Sequence, residues 1–235
     1  MKIGIATHYY QSNNYGGNLQ AYALCQVLKR MGYNAEQICF QSQSYINGKK
    51  NYIINIKVFI YNTIDFLLHP IYRILFHRRL RAVCTFNHNF IPHSSEIYSL
   101  KTLPKVEDKY DLFITGSDIV WAPTVHSPFF FLNFLSSNTK KMSYAASLGT
   151  NNLTNKQKVF FKHDLKTYIA ISVREKSVIP ILEKVTTRKV DYCVDPTLLL
   201  DSTDWDKICS KRLINTSYIF CYFLGNNPRA VKCAQ

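Results

Sequence analysis

The sequence predicts an α/β fold: an open, mostly parallel sheet with helices on both faces. Two stretches carry this prediction, YDLFITG at 110–116 and KKMSYAASLG at 140–149, because both are apolar runs that end in small or polar residues. Such runs are typical of strands buried on both faces of a parallel sheet. In open α/β sheets ligands bind beyond the carboxyl ends of the strands, so we expect a ligand crevice at that edge.

The chain begins with a predicted strand–helix–strand unit. Residues 2–10 are predicted to form a strand, and residues 19–32 a helix, because the apolar residues of the second stretch recur at helical spacing. Asn18 is the predicted N-cap, and Gly32 is the residue predicted to close the helix. NAEQICF at 34–40 is predicted to be the second strand.

Two glycines precede this predicted helix. Gly16 and Gly17 can bring free amides towards an anion at the helix N-terminus, or they can form an ordinary loop turn. Their spacing matches neither the dinucleotide-binding pattern GxGxxG nor the phosphate-binding pattern GxxxxGK, so neither type of cofactor is implied.

The segment 52–90 is long, aromatic and basic. Charged residues interrupt its apolar runs and Pro70 should break or kink a helix there, so we predict no membrane span of about 20 apolar residues. Two interpretations stay open. The segment forms helices packed on the domain with a solvated basic face, or it is an interfacial segment with His77, Arg78, Arg79 and Arg81 at anionic lipid headgroups.

The predicted strand at 110–116 leads into a turn with candidate ligand-binding residues. Gly116 lets the backbone pass close to a ligand. Ser117 and Asp118 can cap a following helix, and Asp118 can instead hold a sugar hydroxyl. Trp121 is predicted to supply a flat apolar wall beside the ligand.

Strands and helices continue to alternate after residue 150. Thr154 is predicted to cap a helix that turns Val159, Phe160 and Leu165 inward. YIAISVRE and KVDYCVDPTLLL are predicted strands, with a short helix between them that Pro180 interrupts. A further strand is predicted at 217–227.

These elements predict an amino-terminal domain at 1–210 and the start of a second domain at 211–235. The helix that should follow the last predicted strand has no room before Gln235. We therefore expect a truncated carboxy-terminal domain, which would leave the chain an incomplete and inactive fragment.

Composition narrows the class of protein and its partners. Hydrophobic residues make up 47% of the chain, which excludes a disordered protein. The formal charge of +14 favours anionic partners, such as phosphorylated metabolites, acidic glycans or a lipid surface. The sequence contains no nucleic-acid-reading motif, so nucleic acid is not a predicted partner.

Cysteine use and the amino terminus favour a cytoplasmic location. The seven cysteines form no CxxC pair, and they are predicted to be buried thiols in a reducing compartment. MKIGIATHYY lacks the longer apolar core of a signal peptide. No metal-ligand cluster stands out in the sequence, so we predict no metal and no cofactor. The protein would lie at the inner face of the cell membrane if the segment 52–90 is interfacial.

Four predicted strand ends should meet at one edge of the sheet. Arg174 is the strongest candidate there, because its planar guanidinium matches a carboxylate or phosphate and stays charged. The alternative is a structural ion pair with Glu175 or another carboxylate. Asp195 is predicted to form a turn rather than act as a base, and His8 to have a core or rim role. The candidate site residues are Asn14, Gly16, Gly17, Ser117, Asp118, Ser147, Arg174 and Glu175.

The motifs in these stretches resemble the successive signatures of the polysaccharide pyruvyl transferase family. As a set they are specific, although each one alone is weak, and the resemblance runs from Lys2 to about Trp205. It implies a two-domain fold similar to the glycosyltransferase-B arrangement, of which this chain would supply one Rossmann-like half. The motifs are NYGGNLQAYAL, YDLFITGSDIVW, KMSYAASLG, ISVREKS and VDPTLLL.

The resemblance also implies an activity. Members of this family move a pyruvyl group from phosphoenolpyruvate onto hydroxyls of a saccharide or lipid-linked oligosaccharide, forming a ketal on a surface polysaccharide. Arg174 falls on the arginine of the family's S-x-R-E/D motif and would bind the phosphate or carboxylate of the donor. The acceptor would lie near Asn14, Gly17, Ser117 and Asp118. The family's catalytic histidine would lie in the carboxy-terminal domain, beyond the end of this sequence.

Two other functions stay open at this point. A nucleotide-sugar glycosyltransferase would share the fold, and fold does not fix function. A non-catalytic binding module of a glycan-assembly complex would account for the missing second domain and for the basic segment 52–90. Neither the acceptor sugar nor the oligomeric state is predicted.

Overall fold

A computed structural model describes residues 1–41, 70–123, 127–221 and 228–234. The chain divides into two compact units, Met1–Asp201 and Ser202–Gln235. The division into domains at 1–210 and 211–235 stays a prediction.

The first unit alternates strands and helices. The strands are β1 (Lys2–Ala6), β2 (Asn34–Phe40), β3 (His93–Tyr98), β4 (Leu112–Thr115), β5 (Lys141–Ser143), β6 (Ser172–Val173) and β7 (Asp191–Tyr192). The α-helices of this unit are α1 (Tyr15–Arg30), α2 (Pro70–Phe90), α3 (Asn155–Asp164) and α4 (Ile179–Thr186). Short 3-10 helices occupy Leu103–Lys109, Lys176–Val178 and Pro196–Leu199. The second unit contains α5 (Ser202–Asp206) and α6 (Pro228–Ala234).

The described strands form parallel sheets. Five of them pair in the order β3-β2-β1-β4-β5, and β6 pairs with β7. Parallel bridges from Met142 to Ala170 and from Ala146 to Val173 continue the series from β5 to β6. All carboxyl ends therefore lie at one edge, and the strand order reverses between β1 and β4, where open α/β sheets bind their ligands. The predicted Rossmann-like α/β fold class is confirmed.

Apolar side chains cover both faces of this sheet. On one face Leu112 and Ile114 of β4 pack in a core with Leu24 and Leu28 of α1. Phe113, between them in β4, points to the opposite face, as the two-residue period of a strand requires. The core on that second face also contains Ile38, Val106, Trp121, Phe129, Phe131, Phe161, Leu165 and Leu182.

Helix α1 begins earlier than the sequence indicated. Asn14 is its N-cap, and the Asn14 side chain accepts a hydrogen bond from the Gly17 amide at 3.3 Å. Gly16 and Gly17 therefore lie in the first helical turn, and the prediction of Asn18 as N-cap was wrong. Asn18 is buried and instead donates from its side chain to the Ser12 carbonyl at 3.2 Å. At the other end Gly32 adopts a φ of +86°, which confirms its role in closing the helix.

The turn after β4 also differs from the prediction. Residues 117–121 form bends and turns, so Ser117 and Asp118 cap no helix there. Trp121 is fully buried, with its ring 5.9 Å from that of Phe131, and its indole N–H donates to the Phe130 carbonyl at 3.3 Å. Trp121 is thus a core residue, and its predicted place beside a ligand was wrong.

Helix α3 has the predicted cap but turns a different face inward. The Thr154 hydroxyl accepts from the Gln157 amide, and the Gln157 side chain accepts from the Thr154 amide, which together make a capping box. Val159 is 66% exposed and Phe160 is 37% exposed, whereas Phe161 is buried. The prediction that Val159 and Phe160 point inward was therefore wrong. The buried face of α3 lies one to two residues further along the helix.

Two prolines and one predicted strand also differ from what the sequence indicated. Helix α2 begins at Pro70, a position in the first turn where the missing N–H of proline costs nothing. Pro180 likewise lies in the first turn of α4 and does not interrupt it. Residues 217–221 of the strand predicted at 217–227 form no strand, and residues 222–227 lie outside the described part of the chain. Residues 52–69 also lie outside it. No helix within the described residues is long and apolar enough to cross a membrane.

Candidate active site

A buried hydrogen-bond network joins β1, α1 and the turn after β4. The Ser117 amide donates to the Gln20 side-chain oxygen at 2.9 Å, and the Gln20 side-chain nitrogen donates to the Thr7 hydroxyl at 2.7 Å. That hydroxyl donates in turn to the Ser117 carbonyl at 3.1 Å. Because buried polar groups are costly when unpaired, this closed network fixes the backbone of the turn at the point where the strand order reverses.

Gly17 lets helix α1 approach this turn closely. A Cβ atom at Gly17 would lie 2.6 Å from the His8 carbonyl oxygen and 3.5 Å from the Asp118 carboxylate. The predicted approach of the 13–18 and 116–118 bends is therefore present. Asp118 has a φ of +67° and is half-buried, and within the described chain no group donates a hydrogen bond to its carboxylate.

The end of β5 links this turn to the end of β6. The Ser147 amide donates to the Asp118 carbonyl at 2.9 Å, and the Ser147 hydroxyl donates to one carboxylate oxygen of Glu175. The second carboxylate oxygen of Glu175 is buried and has no hydrogen-bond partner in the described structure. Ser147 and Glu175 thus lie beside each other next to Asp118.

Arg174 pairs with a carboxylate from the turn that follows β7. Its Nη1 donates to Asp195 Oδ2 at 2.7 Å, and the Ser117 hydroxyl donates to the same oxygen at 3.3 Å. The other oxygen, Asp195 Oδ1, accepts from the Thr197 amide at 3.0 Å and from the Thr197 hydroxyl at 2.7 Å. Burial alone would raise the pKa of Asp195, but the bonds from Thr197 and Arg174 outweigh it and hold the pKa below its usual value.

The Arg174 guanidinium remains accessible. Its side chain is 31% exposed, and no described residue accepts a hydrogen bond from Nη2 or Nε. The structural ion pair considered from the sequence does exist, but its partner is Asp195 and not Glu175. Because one donor is committed to Asp195, the remaining N–H groups are the ones that can bind an external anion.

His8 lies at the same edge of the sheet, beside Gly17 and Asp118. Its ring centroid is 4.0 Å from that of Phe130. Burial lowers the pKa of His8, while the Asp118 carboxylate and a backbone contact with Ile119 act in the opposite direction and are outweighed. His8 is therefore a neutral imidazole at pH 7.

The structure brings the candidate residues together at one edge, although their binding roles stay predictions. Sequence reasoning missed the central position of Asp195 and the parts played by Gln20 and Thr7. Gln20 carried one signal, because it is a polar residue on the mostly apolar, buried side of α1. The described residues contain no group of three or more His, Cys, Asp or Glu side chains placed to hold a metal ion.

Comparison with known proteins places this chain in a family. No curated protein and no solved structure matches it. A family model described as polysaccharide pyruvyl transferase matches residues 14–232 of the 235-residue chain, a range that includes every candidate residue from Asn14 to Asp195. The chain therefore belongs to the polysaccharide pyruvyl transferase family.

Proposed function

We propose that this chain binds phosphoenolpyruvate and transfers its pyruvyl group to hydroxyls of a saccharide or lipid-linked oligosaccharide, forming the ketal of a surface polysaccharide. The partly exposed guanidinium of Arg174, held by Asp195 at the carboxyl edge of the sheet, carries the proposal. Phosphoenolpyruvate has a carboxylate and a phosphate, and guanidinium is the side-chain group that matches both. No cofactor enters the proposal, since the phosphate is the leaving group of the donor itself.

The chemistry consists of one addition and one substitution at the same carbon. A proton goes to the methylene carbon of phosphoenolpyruvate, and a sugar hydroxyl adds to the neighbouring carbon, which gains oxocarbenium character. A second hydroxyl then displaces the phosphate and closes the ketal. Arg174 would stabilise the negative charge on the departing phosphate. It cannot supply the proton, because guanidinium does not deprotonate at working pH, so a separate general acid is needed.

The acceptor end of the site would lie at the Gly17–Asp118 bend. No helix follows Asp118 for it to cap, and its carboxylate accepts no hydrogen bond from the described residues. A carboxylate oxygen that accepts no hydrogen bond within the described residues suits a sugar hydroxyl, which is a hydrogen-bond donor. Asn14, Gly16, Ser117, Ser147 and Glu175 complete the proposed substrate-binding set.

The direct test supplies phosphoenolpyruvate and a saccharide acceptor to the full chain. The proposal expects release of inorganic phosphate that depends on both substrates, and a new ketal carbon in the NMR spectrum of the product. A nucleoside diphosphate released from a nucleotide sugar would instead show glycosyl transfer. Binding of saccharide without any turnover would show a non-catalytic module, and either result contradicts the proposal.

We also propose that the protein works in the cytoplasm, at the inner face of the cell membrane. All seven cysteines are free, which suits a reducing compartment. Only Cys25 and Cys39 are buried, so the prediction that all seven thiols are buried was wrong. Arg78 and Arg81 of α2 are exposed, and such cations bind anionic headgroups. Sedimentation with anionic but not neutral vesicles is expected, and weaker sedimentation of an Arg78→Glu, Arg81→Glu variant. Equal recovery with both kinds of vesicle contradicts this part of the proposal.

A further inference from the structure

A groove runs between helices α3 and α4, on the face of the sheet opposite to α1. The two helices lie side by side, and the groove between them has a volume of about 550 Å³. Each helix contributes a buried residue to the core below, Phe161 from α3 and Leu182 from α4. We call this surface the lysine groove, and the residues that define it are Lys158, Val159, Lys162, Ile181, Lys184 and Val185.

The floor of the lysine groove is apolar, although it faces solvent. Val159 is 66% exposed, on the side of α3 that points away from the buried Phe161. Ile181 and Val185 are half-buried and lie one helical turn apart on α4, so they form a continuous apolar ridge. The apolar residues of α3 thus form two faces, of which the core uses one. Exposed apolar surface rimmed by polar residues is typical of docking sites.

Three lysines form the rim of this floor. Lys158 and Lys162 are four residues apart and therefore lie on the same side of α3, while Lys184 projects from α4. All three side chains are exposed. The lysine groove therefore presents positive charge from both of its walls, and an anionic partner complements it.

The carboxylates of α3 and α4 are engaged in other contacts. Asp164 is buried and lies 3.0 Å from His163 Nδ1, and Glu183 accepts from the Val190 amide at 3.1 Å. The residues outside the described part of the chain include three lysines and a single carboxylate, Asp65. A second copy of the chain is no better complement, because its formal charge is +14 and its own groove is basic. These observations favour a separate, acidic partner.

The dimensions of the lysine groove fit one further helix. Helix α3 has 10 residues and α4 has 8, so the walls of the groove are about 12 to 15 Å long. That length corresponds to roughly two to three turns of an α-helix. An amphipathic helix can place its apolar residues on Val159, Ile181 and Val185, and its acidic residues then lie beside the lysines.

An anionic lipid surface fits the lysine groove less well. A bilayer is flat and takes up convex apolar faces, whereas Ile181 and Val185 are half-buried between two helices. Helix α2, whose exposed arginines are the candidates for lipid contact, packs with α1 on the other face of the sheet. A protein molecule lying on a membrane through α2 would turn the lysine groove towards solvent.

We propose that the lysine groove is a docking site for an acidic, amphipathic helix of a partner protein. The apolar face of that helix covers Val159, Ile181 and Val185, and its carboxylates pair with the three lysines. This inference does not rest on the proposed function, because the groove is formed by the solvent-facing sides of α3 and α4 and contains none of the candidate active-site residues.

Fluorescence anisotropy on the full chain tests the docking site with a labelled synthetic peptide of about 12 residues. The peptide has leucine at positions i, i+3, i+4 and i+7 and glutamate on both flanks of this stripe. A second peptide has lysine in place of every glutamate. The expected result is saturable binding of the acidic peptide, which weakens as salt is added, and no binding of the basic peptide.

Two groove variants identify the surface that binds the peptide. The Lys158→Glu, Lys162→Glu variant reverses two exposed charges and should weaken binding of the acidic peptide at least about tenfold. Val159→Asp places a carboxylate on the apolar floor and should abolish binding. The matched controls change exposed residues outside the groove and should bind as the wild type does; they are the Lys101→Glu, Lys105→Glu variant and Ile97→Asp.

Four results would overturn the inference. Three of them are a wild type that shows no saturable binding, equal binding of both peptides, and unchanged binding in both groove variants. The fourth is a different occupant. Sedimentation with phosphatidylglycerol vesicles that the groove variants lose, without peptide binding, would assign the groove to lipid, and self-association that they lose would assign it to a second copy.

Phosphate release from phosphoenolpyruvate separates this inference from the proposed function. The groove variants should release phosphate at the wild-type rate, since the changed residues lie outside the proposed active site. A wild type that binds the acidic peptide in the groove but does not turn over phosphoenolpyruvate would contradict the proposed function alone.

Discussion

Arg174 Nη1 lies 2.7 Å from Asp195 Oδ2, so the end of β6 is tied to the turn after β7 by a charged hydrogen bond. Asp195 is itself held by Thr197 and Ser117, which gives the guanidinium a fixed direction before any ligand arrives. Side chains whose positions are set in advance lose less entropy when they bind. We interpret Asp195 as the residue that positions Arg174, and Arg174 as the residue that touches the anion.

Replacing Arg174 should abolish transfer and leave the fold intact. Arg174→Ala removes a stabilising charge from the proposed transition state, so kcat should fall at least about 100-fold. The pair is partly exposed, so the loss of unfolding free energy should be only about 1 to 2 kcal/mol. Phosphate release and thermal unfolding measure the two effects.

Two further variants identify what Arg174 contributes. Arg174→Lys keeps the charge but loses the planar fork, and should recover only a small part of the activity. Arg188→Ala is the matched control, because Arg188 is also half-buried but donates to backbone carbonyls such as that of Leu165. Normal turnover by Arg174→Ala would remove Arg174 from the site.

Asp195 should stabilise the fold in a pH-dependent way. Its pKa in the folded protein is lowered from 3.8, so its contribution is complete above pH 3.8 and is lost as the pH falls through the lowered pKa. The difference in unfolding free energy between wild type and Asp195→Asn should be constant from pH 5 to pH 8 and shrink below about pH 4. Chemical denaturation across this range measures it, and a difference that grows on acidification would show that burial dominates.

His8 should titrate below its ordinary pKa. Burial lowers the pKa of the imidazole from 6.5, and the nearby Asp118 carboxylate only partly offsets this. Because the folded state resists protonation, the stability that neutral His8 provides is present above pH 6.5 and is lost as the pH falls through the lowered pKa. NMR titration of the ring should give a midpoint below 6.5. A midpoint above 6.5 would mean that Asp118 holds an imidazolium, and Asp118→Asn would then lower it.

Local sequence patterns predicted several elements correctly. The errors arose where contacts between residues far apart in the sequence determine the structure. The strand at Asn34–Phe40, the Thr154 cap and the left-handed Gly32 each depend on a few neighbouring residues. Asn18 was misassigned as a cap because its side chain accepts a hydrogen bond from Asn87, 69 residues away. No local pattern contains that contact.

The site shows the same division between local and distant information. Parallel strands bring their ends to one edge, so the convergence of the bends at Gly17, Asp118 and Ser147 could be predicted. The partner of Arg174 could not, because the register between β6 and β7 decides which carboxylate comes within reach. Glu175 was the favoured partner because it is adjacent to Arg174 in the sequence. In the folded chain the partner of Arg174 is Asp195.

Gly17 should tolerate no side chain, whereas its neighbour Gly16 should. A Cβ at Gly17 would lie 2.6 Å from the His8 carbonyl oxygen, a backbone atom that cannot move aside, so Gly17→Ala should cost about 1 to 3 kcal/mol and displace α1 from the Asp118 turn. A Cβ at Gly16 would meet only the Asn14 side chain, at 3.4 Å, so Gly16→Ala should leave stability unchanged or raise it by up to about 1 kcal/mol. Thermal unfolding and phosphate release, measured on both variants, compare one added methyl group at two adjacent positions. Equal effects of the two substitutions would show that the close approach of α1 to β1 and the Asp118 turn does not matter for the site.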